Sequence, residues 1–293
     1  MAKLSVSTQD ISQRPRLHLG CGDRAHPEWI NADLNPTESS ILPIDATKPL
    51  PFADDSFDAV YHAHMLEHLT PDAGQRLIME CARVLRPGGV LRVTVPDLET
   101  LARNYISALD NATSKSAAHK IATRNHSDTE PKTGTETAPV EQHRYDWSVI
   151  ELIDQMVRTT PGGEMLKCWS EKTVPAEDLI IERMGEQYTQ TRKAIQDHRA
   201  ALGTPPAWTI QDPDSESPER ISKFLLAGER HRWMYDRYSL ARLLTRAGLS
   251  NPLVRSPQES SIAGWSQFEL EIDDQGRPSK PDSLAMEATQ NTH

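Results

Sequence analysis

The chain has 293 residues, with 32 Lys and Arg against 42 Asp and Glu, a formal charge of −10, and a mean hydropathy of −0.59. This acidic balance argues against broad, sequence-independent capture of nucleic acid, which needs a positive surface, and no stretch approaches the ~20 apolar residues of a bilayer span. Residues 1–16 lack the apolar run of a secretory leader, and Cys21, Cys81 and Cys168 are odd in number and far apart, so neither a CxxC metal pair nor a disulfide framework is indicated. The expectation is a cytoplasmic protein with no membrane or nucleic-acid partner.

In chain order, residues 1–15 read as a loose polar arm. RLHLG (16–20) reads as a short buried strand ending in a glycine turn. WINADL (29–34) is a second strand with Asp33 at its end, and SILPIDA (40–46) a third short segment carrying Asp45. After the turn-rich KPLPFADDS, FDAVYHAH (57–64) is a fourth strand. Thr70 is placed to cap a helix over 71–85, with Pro71 at its first position and Leu77, Ile78, Cys81, Ala82 and Leu85 at helical spacing; RPGG ends it. VLRVTV (90–95) is a β-favouring strand closed by Pro96-Asp97. Residues from about 110 to 140 are polar and poor in large apolar groups, which predicts a flexible loop. Amphipathic helices follow at 147–157 and 177–202, a loop at 204–220, and a helix at 238–249 with Gly248 near its end. SQFELEID (266–273) predicts a last strand, with a turn at Asp274–Gly276.

Strands alternating with a helix imply an α/β fold with a mainly parallel sheet, whose ligands gather at the carboxyl ends of the strands. Gly20–Asp23, Asp33, Asp45, His62–His68 and Asp97 all fall at or just beyond such ends. A Gly-x-Gly turn lets backbone amides approach a ligand closely. On its own Gly20-Cys21-Gly22, followed by Ala25, also satisfies a loose dinucleotide pattern. Asp33, however, follows Gly20 by 13 residues, where a dinucleotide fold places its ribose acid roughly 20 residues on. A Trp-containing loop (HPEWIN) stands where a crossover helix is expected, and no second mononucleotide half follows.

LHLGCG, NADL, LPIDATKPLPFADDSFDAVYHAHMLEHL and ARVLRPGGVLRVTVPDLE, in that order, resemble the successive motifs of class I methyltransferases dependent on S-adenosylmethionine (SAM), of the type-11 kind. A bacterial subgroup of these pairs an LHLGCG start with a late HRWMYD segment, here His231–Asp236. The resemblance is strong over 16–105 and moderate over 229–250. It implies a Rossmann-like sheet, mostly parallel with an antiparallel strand near the C-terminus and interrupted by a largely helical insertion. The corresponding division is a core over 16–105, an insertion or lid over 106–230, and the rest of the core over 231–293. It also implies SAM as cofactor, released as S-adenosylhomocysteine. Carried over by position, Gly20, Cys21 and Gly22 wrap the methionine portion, Asp33 with Leu34 meets the ribose, Asp45 with Ala46 lies by the adenine, and His62 borders the methionine end. Two positions depart from the family pattern: His18 stands where an acid is common, and Arg24 where a third glycine is usual.

Methyl transfer from a sulfonium needs a positioned acceptor and excluded water, and a base where the acceptor is a hydroxyl. His64, Glu67 and His68 are the catalytic candidates, His64 or His68 as base and Glu67 or Asp97 as its orienting acid. H-x-H-x-x-E-H could also supply metal ligands, but with no matching acid pair downstream the expectation is no metal. Asp97, His143, Arg144, His231, Arg232 and Tyr235 are the candidate acceptor-binding residues, because Arg and His beside aromatic rings suit an anionic or sugar-like molecule. The expected partner is a small polar acceptor methylated on oxygen rather than nitrogen, such as a sugar, glycan precursor or specialised metabolite, with a homodimer left open. Alternatives are a methyltransferase acting on protein or nucleic acid, a non-catalytic SAM-binding protein, and an NAD-dependent oxidoreductase.

Overall fold

The computed structural model describes residues 15–124, 140–209 and 217–292. Residues 1–14 of the expected loose arm and 125–139 of the expected 110–140 loop lie outside these residues. Seven strands form one sheet: β1 (Arg16–Leu19), β2 (Ile30–Asp33), β3 (Leu42–Pro43), β4 (Phe57–Ala63), β5 (Leu85–Pro96), β6 (Leu249–Arg255) and β7 (Ser283–Gln290). They lie in the order β3-β2-β1-β4-β5-β7-β6. The first five are mutually parallel, and β7 runs antiparallel to both β5 and β6. This is the Rossmann-like sheet with an antiparallel strand that the resemblance implied.

The period of two along each strand sorts side chains onto two faces. Leu17, Leu19, Val60, Leu91, Val93 and Val95 face α1 (Pro71–Val84) and the late helix Arg237–Arg246 in one buried cluster. Thr70 caps α1 as expected, its hydroxyl accepting from the Ala73 amide at 3.3 Å. The opposite face presents His18, Tyr61, Val90 and Arg92, and its buried cluster contains no α-helical residue among those described. Trp29 from the β1–β2 loop and Ile262, Trp265, Phe268 and Leu270 from the segment before β7 cover it instead.

That cover is held by a buried ion network. Arg92 is fully buried and donates to Glu271 (2.9 and 2.5 Å), to Glu287 (2.9 Å) and to the carbonyls of Ser256 and Glu259. Its guanidinium also stacks 4.4 Å from the Trp265 ring centroid. The network corrects the sequence reading of 266–273 as a strand. Glu269 takes a positive φ of 50°, Glu271 turns inward to Arg92 and Thr94, and the segment forms a short 3-10 turn (Trp265–Gln267) and one isolated bridge. The apolar alternation there reflects burial of Phe268 and Leu270 without sheet pairing.

The chain divides into two compact units. One holds the residues up to Asp97, His231–Ser279 and Ser283 onward; the other holds Leu98–Arg230 and Lys280–Asp282. The described part of the second is helical: α2 (Leu98–Arg124), α3 (Val140–Val157), α4 (Gly163–Trp169), α5 (Glu177–Leu202) and α6 (Pro218–Ala227), after which α7 (Arg237–Arg246) belongs to the first unit. The loop expected from about residue 110 is thus helix as far as Arg124, and α6 starts inside the loop expected over 204–220. Trp147, Met165, Trp169, Ile180, Met184 and Tyr188 make this unit's core, beside a buried Arg183–Glu151 pair at 2.8 Å. No helix among the described residues is long and apolar enough to cross a membrane.

Replacing Arg92 with Leu strands two buried carboxylates, a change that costs about 3–5 kcal/mol for a buried pair that loses one partner. Arg92→Leu is therefore expected to unfold at markedly lower urea concentration than the parent chain; a shift worth under 1 kcal/mol would show that the network does not hold this face.

Candidate active site

The glycine turn leaves β1 through two residues that L side chains avoid: Gly20 at φ 62° and Gly22 at φ 54°. A Cβ on Gly20 would stand 2.7 Å from Met65 Sδ, whereas one on Gly22 would meet nothing within 4 Å. Gly20 therefore serves close packing, and Gly22 leaves a backbone surface open to a ligand. The Gly22 amide donates to Asp33 Oδ2 at 3.0 Å, and Asn35 N donates to Oδ1 at 2.9 Å. Each Asp33 oxygen thus holds one backbone donor and keeps acceptor capacity, since a carboxylate offers about four lone-pair sites. Leu34 exposes 60% of its surface directly after β2, an apolar side chain free to cover a ring. Cys21 is buried, its thiol pushed up to about 11 by burial and by Asp33 and Asp23, which suits packing and not nucleophilic work.

Asp45 is engaged with its own turn. Its Oδ1 accepts from the Thr47 amide (3.0 Å) and hydroxyl (2.6 Å), and Oδ2 pairs with Lys48 at 3.0 Å. The Thr47 bonds and Lys48 hold this carboxyl below its usual range. Ala46 packs partly against the core.

The two family departures have structural accounts. His18 is buried on the far face of β1, its ring 4.8 Å from that of Tyr61 and 6.2 Å from that of Trp29. Burial, reinforced by His62, pushes its pKa down to about 3. Arg24 is turned toward the segment before β7, its guanidinium donating to Ser279 Oγ at 3.1 Å and to the Leu270 carbonyl.

A second cluster forms where β4 ends. His64 takes a positive φ of 50°, and the next residues wind into a 3-10 turn, Leu66–His68, before α1. The turn drives Glu67 inward, with no exposed surface. His64 Nδ1 lies 3.3 Å from Glu67 Oε1, and beyond this approach neither carboxylate oxygen meets a hydrogen-bond partner among the described residues. Burial works to raise Glu67, but His64, His231 and His68 outweigh it and hold the carboxyl down at about 2. On its other side His64 Nε2 meets Ser283 Oγ at 2.9 Å. His231 is buried with its ring edge-on to that of His68, centroids 4.8 Å apart. The Glu67 carbonyl accepts the amides of Arg232 (2.7 Å) and Trp233 (3.1 Å), and Asp97 at the end of β5 bridges to Tyr235.

The structure thus brings together His64, Glu67, His68 and His231, with Tyr235 raised to about 12 by burial and by Glu67. His62, expected to border a ligand, is fully buried and driven neutral at about 4 by burial. The Arg232 side chain is exposed. His143 and Arg144 lie on α3 in the other unit, where Arg144 pairs with Asp178. Ser283 was missed by sequence reasoning because β7 carries no legible strand pattern.

Residues 17–93 match the family described as Methyltransferase domain. The chain is 33% identical over 153 residues to Methyltransferase GfsG of Streptomyces halstedii, covering 50% of this chain and 46% of that protein. It is 43% identical over 107 residues to a Mycolicibacterium smegmatis protein named Probable S-adenosylmethionine-dependent methyltransferase, covering 30% of this chain and 40% of that one. The matches span under half the length of these relatives. A SAM dependent methyltransferase of Archaeoglobus fulgidus of known structure is 12% identical over 94% of this chain and 86% of that one, with a TM-score of 0.38.

His18 makes the sheet acid-sensitive. Its pKa in the unfolded chain is about 6.5, above the folded value of about 3, so below pH 6.5 the unfolded state binds a proton that the folded state refuses. Stability is full above pH 6.5 and falls as the pH drops toward 3. His18→Phe, which keeps a ring against Trp29 and Tyr61, is expected to remove about 2 kcal/mol of the loss between pH 7 and pH 5, from 1.36 kcal/mol per unit, as read by urea unfolding at both pH values. An unchanged pH dependence would contradict this.

Proposed function

We propose that this chain, whose residues 17–93 match a family described as Methyltransferase domain, is a class I SAM-dependent methyltransferase that transfers a methyl group from SAM to a hydroxyl of a small polar molecule. The observation that carries the hydroxyl reading is the line Glu67–His64–Ser283, in which a buried carboxylate faces one imidazole nitrogen and a hydroxyl sits 2.9 Å from the other. An imidazole in that setting takes a proton from an alcohol.

The glycine turn and Asp33 fit the cofactor by their own chemistry. Gly22 presents bare backbone, Asp33 retains acceptor sites at a strand end for two ribose hydroxyls, and Leu34 offers an apolar cover. Asp45, occupied by Thr47 and Lys48, keeps less capacity for the adenine. When bound, SAM supplies an activated methyl on sulfur.

What remains for the protein is to orient the acceptor and to receive its proton. His64 receives it at Nε2 as the acceptor hydroxyl takes the place of Ser283 Oγ, while Glu67 fixes the tautomer with the proton on Nδ1 and favours the imidazolium that forms. Asp97 and the His231–Tyr235 segment, joined to this cluster by backbone contacts, contribute acceptor-binding groups. A small polar acceptor agrees with the acidic overall charge, which disfavours nucleic acid.

Two experiments test this reading. Calorimetry should show SAM and S-adenosylhomocysteine binding and NAD not binding. Asp33→Asn should weaken SAM by about 10- to 100-fold, the worth of charge-assisted hydrogen bonds at 1.5–3 kcal/mol; absence of SAM binding by the parent chain would end the proposal. With labelled SAM and fractionated cell extract, label should enter low-mass products, and label found only in macromolecules would overturn the acceptor class. His64→Ala should lower kcat about 10²- to 10⁴-fold with SAM affinity kept, and full activity would remove the base assignment.

A further inference from the structure

We propose that Glu67, His68 and His231 form a binding site for a divalent transition-metal ion of the zinc class. One ligand atom from each lies within 4.8 Å of the others. All three residues belong to one compact unit, and two sequence-distant elements meet there: the 3-10 turn after β4 and the segment in which the chain returns to the sheet at His231. The sequence expectation was that no metal binds, because no acid pair follows downstream. The third donor turns out to be a histidine 163 positions after His68.

An independent observation points to a missing partner. Among the described residues, Glu67 Oε2 and His68 Nδ1 are buried without a hydrogen-bond partner, and Glu67 Oε1 has only the His64 approach. A buried carboxylate left in that state is strongly disfavoured. The facing histidine at 3.3 Å offsets part of this, and one cation between the carboxylate and two imidazoles would offset the rest. One oxygen then serves the ion and the other keeps facing His64, the outer partner that ligating carboxylates commonly have. His64 is itself positioned by Ser283.

Two imidazoles and one carboxylate select for zinc and its neighbours, whereas magnesium and calcium take oxygen donors. Ligand atoms about 2.1 Å from a tetrahedral ion stand roughly 3.4 Å apart, so the widest present spacing, 4.8 Å, must close by roughly 1.4 Å. His68, the half-buried member, has the freedom to do this, and the amides of Arg232 and Trp233 on the Glu67 carbonyl already hold the His231 segment in place. The ion would staple the start of the His231–Asp236 segment to the β4–α1 connection, next to the proposed base and distinct from it.

The full chain, stripped of metal by chelator, is titrated with Zn²⁺ and separately with Co²⁺, Mg²⁺ and Ca²⁺, with SAM absent so that the outcome is independent of the methyl-transfer reading. One equivalent of Zn²⁺ or Co²⁺ per chain is expected, with a visible Co²⁺ ligand-field band and a metal-dependent rise in Tm. His68→Gln, His231→Gln and Glu67→Gln should each weaken binding at least tenfold and abolish the Tm rise, while His198→Ala, in the helical unit, should change neither. No stoichiometric binding by the parent chain, equal binding of Mg²⁺, or retained affinity in both His68→Gln and His231→Gln would overturn the proposal. Circular dichroism establishes that each variant is folded; should Glu67→Gln not fold, the half-buried His68→Gln decides.

Discussion

The arrangement turns on one buried carboxylate. Glu67 has no exposed surface, and its position comes from backbone geometry: a positive φ at His64, a single 3-10 turn, then the capped start of α1. A charge placed there must be compensated. His64 and His231 answer from the side chains, and the Arg232 and Trp233 amides meet its carbonyl. The proposed base, the proposed ion and the anchoring of the returning chain are three consequences of that one residue.

The opposite face of the sheet solves a different problem. With only a loop between β1 and β2, its buried cluster contains no α-helical residue among those described, and aromatic rings from Trp29, Trp265 and Phe268 supply the cover instead. Arg92 locks that cover through Glu271 and Glu287. The division of labour follows strand parity: Leu91, Val93 and Val95 face the helices, while Arg92 and Thr94 face the aromatic side. Ion network and proposed active site thus lie on one sheet without sharing a side chain.

Much of the first unit was legible in the sequence. The LHLG strand, the Thr70 cap and α1 follow from local signals, namely apolar period, cap residues and turn residues, and the structure places them as read; VLRVTV and the late helix are there too, but β5 already begins at Leu85 and takes in the RPGG read as a turn, and α7 stops at Arg246, so that Leu249 opens β6. Gly20, Gly22 and Asp33 were legible as candidates because a glycine turn at a strand end and the carboxylate ending the next strand show themselves by residue type and spacing. The C-terminal strands were not. SLAMEATQ is built from Ala, Leu, Met and Glu, which favour helix, and it becomes β7 because β5 and β6 pair with it on both sides. LSNPLVR holds Pro252, which a strand tolerates at an edge or a bulge; β6 is such an edge strand, with a register shift between Ser250 and Leu253.

By itself, then, the sequence determined the parallel strands, the glycine turn and the carboxylate at the end of β2, because each rests on neighbours within a few tens of residues. Tertiary structure alone decided that SQFELEID is an aromatic cover and SLAMEATQ the antiparallel strand, since both outcomes depend on pairing and ion contacts with β5. It also decided that Ser283 reaches His64 and that His231 joins Glu67 and His68. Residues separated by 219 and by more than 160 positions meet there, a proximity that local propensity and spacing cannot encode.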